Sequence, residues 1–158
     1  MPAPFSYAPR LAGVPVLWNI MKIDIVSVFP EYFEVLNLSL LGKAQEKGLV
    51  TVTAHNLRDW THDVHHSVDD TPAGGGAGMV LRVDTYLAAL EKARCLAPDA
   101  LVAALTPVGE TLCQARVTAL SRAGRDLIFL CGHYEGIDDR VLDEIVTDYL
   151  SIGDYVLT

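Results

Sequence analysis

Basic residues are scarce in this chain: 12 Lys and Arg stand against 20 Asp and Glu, leaving a formal net charge of −8. A surface that grips nucleic acid needs Lys and Arg to displace counterions from phosphates, so the overall balance argues against a nucleic-acid binder. The imbalance is local, however. From Asp126 onward the acids Asp126, Glu135, Asp138, Asp139, Asp143, Glu144, Asp148 and Asp154 face Arg140 alone. Composition therefore disfavours that segment as a phosphate-binding surface and leaves a basic surface elsewhere open.

Cysteine is equally sparse. Cys95, Cys113 and Cys131 lie far apart with no C-x-x-C pair. An odd number at such spacing argues against a disulfide framework or a zinc finger and fits a reducing, cytoplasmic setting. No uninterrupted apolar stretch approaches the ~20 residues of a membrane helix, so no membrane partner is expected. Long charge runs and low-complexity tracts are missing too, which disfavours disorder. The 158 residues are 51% hydrophobic, enough for one domain with a real core.

Residues 1–20, MPAPFSYAPRLAGVPVLWNI, differ in pattern from the rest of the chain. Their apolar piece contains Pro15, and no small-residue cleavage site precedes Met21, so a signal peptide is disfavoured. The segment reads as an N-terminal extension, or as a start assigned too early with Met21 as the true start.

From Met21 the pattern becomes regular. Ile23, Ile25 and Val28 predict a strand ending at Phe29, and Pro30 and Glu31 suit the first turn of a helix. Helical spacing runs through Phe33, Leu36, Leu40 and Leu41 to a stop at Gly48, and Leu49–Ala54 reads as a second strand. Residues 61–78 have no periodicity and read as a long loop. Asp84 is expected to cap a helix carrying Leu87, Leu90 and Ala93. Ala100–Leu105 reads as a short strand broken at Pro107 and Gly109, and Thr111 as the cap of a helix that stops at Gly124. Leu127–Cys131 is a buried-type strand, Asp138–Val146 a short helix, and Tyr149–Leu157 loop or strand.

Alternating strands and helices predict an α/β fold, a parallel sheet with helices on both faces. Ligands bind such sheets outside the C-terminal ends of the strands. Three loops take that position: Thr106–Glu110, Gly132–Ile137 and the surroundings of Ser151–Leu157.

Several site chemistries compete. Cys131 and His133 are two apart at a strand end, but a nucleophilic cysteine needs a thiolate-stabilising environment, and the nearby charges here are acidic. Cys131 reads better as a small buried residue. His62, Asp63, His65, His66, Asp69 and Asp70 are suitable metal ligands by type. Their spacing carries no metal geometry, so the better reading is a polar loop whose Asx side chains cap turns, and no metal is assigned. The glycine run Gly74–Gly78 fails the nucleotide-loop templates, since neither Gly-Lys-Ser/Thr follows nor does glycine stand at Met79. It remains a loop that a ligand or another chain can approach closely.

Five stretches in order carry a resemblance: VFPEYF (Val28–Phe33), THDVHHSVDDTPAGGGAGM (Thr61–Met79), LTPVGETL (Leu105–Leu112), CGHYEGIDDRV (Cys131–Val141) and SIGDYVLT (Ser151–Thr158). Together they resemble the bacterial tRNA (guanine-N1)-methyltransferases of the SPOUT class, TrmD type, over essentially Met21 to Thr158. The resemblance implies a SPOUT-type sheet with a deep trefoil knot, a homodimer, and S-adenosylmethionine as methyl donor. It implies methylation of tRNA at N1 of the guanosine just 3′ to the anticodon. By position, the cofactor residues are Leu105, Thr106, Pro107, Gly132, Tyr134, Ile152, Gly153, Asp154, Tyr155, Val156 and Leu157. Glu135 is placed near the target guanine, Asp69 and Gly78 near the substrate-facing loop of the dimer, and His133 on the substrate side. His133 and Thr71 stand where many relatives carry Arg.

Methyl transfer to a ring nitrogen needs in-line placement and removal of the N1 proton by a general base. The resemblance implies that this base is an aspartate beyond Thr158, on the way to a C-terminal tRNA-binding domain. Residues 21–158 are thus expected to be a truncated cofactor domain, with an incomplete knot and little activity alone. Two other readings stand beside this one: a SPOUT methyltransferase with another RNA target, and a non-catalytic binding or dimerisation module.

Overall fold

A computed structural model of the chain describes residues 20–72 and 74–155. Most of the expected N-terminal extension lies outside the described residues, as do Val156 and Leu157 of the expected cofactor set. The described residues build one five-stranded sheet from β1 (Met21–Ser27), β2 (Val50–Asn56), β5 (Leu101–Thr111), β6 (Leu127–Cys131) and β7 (Asp148–Ser151). Its strand order is β2-β1-β6-β5-β7, and every pairing is parallel. A two-residue antiparallel ribbon, β3 (Asp69–Asp70) with β4 (Val80–Leu81), interrupts the expected long loop.

Alternation along the strands explains the two covered faces. Val26, Val102, Ile128 and Leu130 point to one side. There they meet Tyr86, Ala89, Leu90 and Ala93 of α2 (Val83–Leu96) and Ile145 of α4 (Asp139–Ile145). Ala103, Leu127 and Leu150 point to the other side, with Ile23 and Phe129, and meet Leu120 of α3 (Gln114–Arg122). Strands buried on both faces read as continuous apolar runs, as LIFLC of β6 does. Asp24 is a buried acid in this sheet: only 8% exposed, it faces His55 of β2 with 2.6 Å between Oδ1 and Nε2. No helix among the described residues is long and apolar enough to cross a membrane.

Four local expectations are corrected. The helix expected from Pro30 to Gly48 is two pieces, a 3-10 helix (Pro30–Asn37) and α1 (Ser39–Glu46). Leu38 between them is extended, and Ser39 has φ of 56°. Asn37 and Ser39 favour such breaks because their side chains compete for backbone groups, and Gln45 Nε2 donates to the Leu36 carbonyl at 2.9 Å. Asp84 does not cap α2. Arg82 holds that position, and Asp84 lies inside the first turn, gripped by the Arg82 guanidinium, which lowers its pKa to about 2.

β5 does not break at Pro107 and Gly109. Its register against β7 shifts between Leu105 and Glu110, so that both pair with Leu150 and Thr106–Gly109 bulges out of the ladder. A proline in a bulge forfeits no ladder hydrogen bond. Gly109 is required there, because a Cβ would lie 2.6 Å from the Leu150 backbone nitrogen. Thr111 consequently belongs to β5, and Cys113 precedes α3 without a side-chain cap.

Candidate functional site

The sheet order sets β6, β5 and β7 side by side and parallel, so their C-terminal loops open on one edge. Leu105 lies at the middle of that edge, paired with Cys131 on one side and Leu150 on the other. Thr106 and Pro107 come next, in the bulge. Gly132 and Tyr134 leave β6, and Ile152, Gly153, Asp154 and Tyr155 leave β7. The described members of the expected cofactor set therefore converge.

The edge is apolar and open. Leu105 is 42% exposed, Tyr134 47% and Ile152 61%, all far above what core positions allow. Gly132 is informative because nothing among the described residues demands a glycine. Its φ is not positive, and a Cβ built on it would meet nothing nearer than Ile137 Cγ1 at 3.8 Å. Space kept clear of a side chain at a strand end suits a ligand lying against the backbone. In the β7 loop, Ser151 Oγ accepts from Gly153 N at 3.2 Å and donates to Gly153 O at 2.9 Å. The Tyr155 ring lies over Gly153, where a Cβ would fall 2.9 Å from Cδ1. Leu112 N donates to Ser151 O at 2.7 Å and ties this loop to the end of β5.

The β6 loop is held from two sides. Fully buried Tyr86 of α2 donates its hydroxyl to the Cys131 carbonyl at 2.7 Å. Desolvation, and then the neighbouring Cys131, raises the Tyr86 hydroxyl above its ordinary range. The Cys131 thiol is pushed up to about 11, and the cause is burial rather than the acidic neighbours the sequence suggested. An un-ionised, buried thiol does not serve as a nucleophile. On the other side, Glu135 N donates to Met79 O and Leu81 N to Gly136 O, each at 3.0 Å. Tyr134 between them adopts a left-handed conformation, φ 59°, uncommon outside glycine and frequent where a site imposes it.

The four residues expected to face substrate divide. Gly78 and Glu135 touch directly, since a Cβ on Gly78 would lie 2.5 Å from Glu135 Oε1. Asp69 pairs with Leu81, which itself bridges to Ile137, so it stands one strand further out. His133 turns the other way, its ring 5.1 Å from Phe29 and 4.6 Å from Tyr134. Sequence reasoning missed Phe29 and Arg58, whose guanidinium carbon lies 5.8 Å from the Phe29 ring centroid. An aromatic placed just past the end of β1 was the available signal.

The histidine-rich loop is built as a turn. Asp63 accepts from the backbone of His65 and from both the backbone and hydroxyl of Ser67, which lowers its pKa. Thr61 Oγ1 donates to the Arg58 carbonyl at 2.8 Å and meets His66 Nδ1 at 2.9 Å. Among the described residues no three His, Cys, Asp or Glu side chains gather as metal ligands do.

Two clefts of the described surface lie elsewhere. One of about 340 Å³, lined by Met21, Ala97, Asp99, Arg125 and Asp126, opens at the N-terminal end of the sheet. Another of about 420 Å³ runs between the β3–β4 ribbon and the starts of α2 and α4. The first is at the wrong end of a parallel sheet for a ligand site, and neither contains the loops after β5 and β7.

Comparison with known proteins identifies the family. The family model described as tRNA (guanine-1)-methyltransferase TrmD matches residues 21–158. A tRNA (guanine-N(1)-)-methyltransferase of Bifidobacterium longum subsp. infantis is 53% identical, over 87% of this chain and 55% of its own length. Enzymes of the same name from Nocardia farcinica and Mycobacterium leprae are each 51% identical over 87% of this chain, which covers 60% and 58% of theirs. The chain thus spans little more than half the length of these relatives. With a family match over every element described above, this chain belongs to the tRNA (guanine-1)-methyltransferase TrmD family.

Proposed function

We propose that residues 21–158 form the S-adenosylmethionine-binding part of a tRNA (guanine-N1)-methyltransferase. It places the methyl donor for transfer to N1 of the guanosine 3′ to the anticodon. The observation that carries this reading is the convergence of the loops after β5, β6 and β7 around the open backbone at Gly132. S-adenosylmethionine fits the residues present. Leu105 and Ile152 offer apolar surface for an adenine ring, and the cleared space at Gly132 lets that ring reach main-chain polar groups. When bound, the cofactor supplies an electrophilic methyl group.

The chain's own residues orient the two reactants. Leu105, Thr106, Pro107, Gly132, Tyr134 and Ile152 through Leu157 take the cofactor. Glu135, fixed beside Gly78 through its backbone bond to Met79, presents a carboxylate toward the guanine edge, while Asp69 on the ribbon and His133 on the Phe29 side meet more distant parts of the substrate. Preorganised loops of this kind lower the barrier by fixing attack geometry. The general base that takes the N1 proton is expected on an aspartate outside these residues. The reading includes a trefoil knot, a homodimer and a cytoplasmic location, as in the family the sequence resembles.

The test joins residues 21–158 to the remaining part of the Bifidobacterium longum relative and assays transfer of labelled methyl groups. Transcripts with guanosine 3′ to the anticodon are expected to be methylated, and transcripts with adenosine there are not. Equal labelling of both would favour another RNA target. A chain that fails to bind S-adenosylmethionine would favour a non-catalytic module.

A further inference from the structure

Arg58, Phe29, His133 and Tyr134 form a continuous row across the other half of the same sheet edge. They come from three elements: Arg58 from the short 3-10 turn Leu57–Trp60 after β2, Phe29 from the end of β1, and His133 and Tyr134 from the β6 loop. Because β2, β1 and β6 are neighbours, these ends stand in a line. Phe29 and His133 meet nearly perpendicular at 81°, and His133 and Tyr134 at 67°, so the rings make steps rather than one flat shelf. Phe29 is 49% exposed, and His133 is exposed as well.

The cation at the end of the row is short of an acceptor. Arg58 Nη1 is closed off and has no hydrogen-bond partner among the described residues, and no carboxylate pairs with Arg58 there. A guanidinium nitrogen without an acceptor is costly. Half-exposed rings beside a guanidinium that no described carboxylate pairs are the combination that holds single-stranded nucleic acid: a base stacks on a ring and its phosphate meets the cation. The acidic segment after Asp126 contributes only His133 and Tyr134 here, so its negative charge does not exclude the contact.

We propose that the Arg58–Phe29–His133 row is a subsite for an unpaired nucleotide of the RNA substrate, whose base stacks on the exposed ring surface of Phe29 beside His133 and whose phosphate is taken by Arg58. This deepens the proposed function and rests on it for the identity of the RNA. The row meets the cofactor loops at the β6 loop, where His133 lies between Gly132 and Tyr134, and the rest of the edge divides the work: cofactor over β5 and β7, flanking nucleotide over β2 and β1.

The probe is a single-stranded oligoribonucleotide carrying 2-aminopurine, whose fluorescence is quenched by stacking. It is titrated into the chain, Phe29→Leu, Phe29→Trp and Arg58→Gln at several salt concentrations, with circular dichroism to confirm folding. Binding with quenching is expected for the unsubstituted chain and for Phe29→Trp, whose wider ring keeps the stack. Phe29→Leu is expected to bind about 5- to 150-fold more weakly without quenching. Arg58→Gln is expected to reduce the slope of log affinity against log salt by about 0.7, the loss of one single-strand phosphate contact. S-adenosylmethionine binding, followed by calorimetry, should be unchanged in both weakened variants. The proposal is overturned if the oligonucleotide is not bound, if folded Phe29→Leu binds and quenches equally, or if Arg58→Gln leaves the salt slope intact. It is overturned too if the row instead takes up a protein partner without RNA. Loss of S-adenosylmethionine binding with stacking retained would overturn the cofactor reading and leave the subsite standing.

Discussion

Gly78 and Glu135 occupy one another's space: a Cβ on Gly78 would fall 2.5 Å from Glu135 Oε1 and 2.8 Å from its Cδ. The glycine loop and the β6 loop are thereby fitted together at the carboxylate proposed to face guanine, and the Glu135 N–H bond to Met79 O locks the pairing. Gly78 also has φ of 92°, which disfavours any side chain.

Two penalties therefore act on Gly78→Ala, one steric and one of backbone. The substitution is expected to destabilise the fold by about 1–3 kcal/mol in urea denaturation. In a Glu135→Ala background the steric part disappears and the cost falls by about 1 kcal/mol, whereas additivity would show that the contact is not tight.

Tyr86 bears on the same loop from below. Tyr86→Phe keeps the packing of α2 but leaves the Cys131 carbonyl without its donor at 2.7 Å. A loss of about 1–2 kcal/mol is expected. Amide exchange should quicken at Gly132–Ile137 more than in β6 itself.

The cysteines should separate by reactivity. Cys95 and Cys113 are exposed, whereas Cys131 is partly buried with its thiol pushed up to about 11. Alkylation of the native chain near pH 8 is expected to label the first two rapidly and Cys131 only on unfolding, counted by intact mass. At neutral pH the thiol is protonated in both the folded and the unfolded chain, and the folded state keeps its full stability. Stability falls as pH rises through the ordinary thiol range, about 8.5, towards about 11, because the unfolded chain ionises there and the folded chain does not. An alkaline decline of stability should thus be shallower in Cys131→Ala.

The Asp24–His55 pair lies within the sheet, with side chains 11% and 18% exposed. His55→Ala strands a buried carboxylate and is expected to cost about 3 kcal/mol in urea denaturation. Asp24→Asn with His55→Ala should recover part of that loss, since no buried charge is then left unpaired.

Much of the architecture was legible because parallel sheets announce themselves. LIFLC of β6 reads as a strand buried on both faces, and the three loops at Thr106, Gly132 and Ser151 follow from where such strands end. Local breaks were not legible. Leu36, Leu40 and Leu41 keep helical spacing across the extended Leu38, and Pro107 marks a bulge rather than an end because β7 pairs with β5 on both sides of it. Asp84 and Thr111 carry the oxygen a cap needs but stand two residues from the capping position. Phe29, Arg58 and His133 could not be joined from sequence, because only strand order makes their elements neighbours.

The most direct measurement is calorimetry of S-adenosylmethionine binding to the unsubstituted chain and to Gly132→Ala. Gly132 has no positive φ, and among the described residues its Cβ would meet nothing nearer than Ile137 Cγ1 at 3.8 Å. The variant should therefore melt as the parent does. If the cofactor lies against the backbone at the end of β6, the added methyl overpacks the site, and affinity should fall about tenfold or more. Undiminished binding by a folded Gly132→Ala chain would contradict the placement.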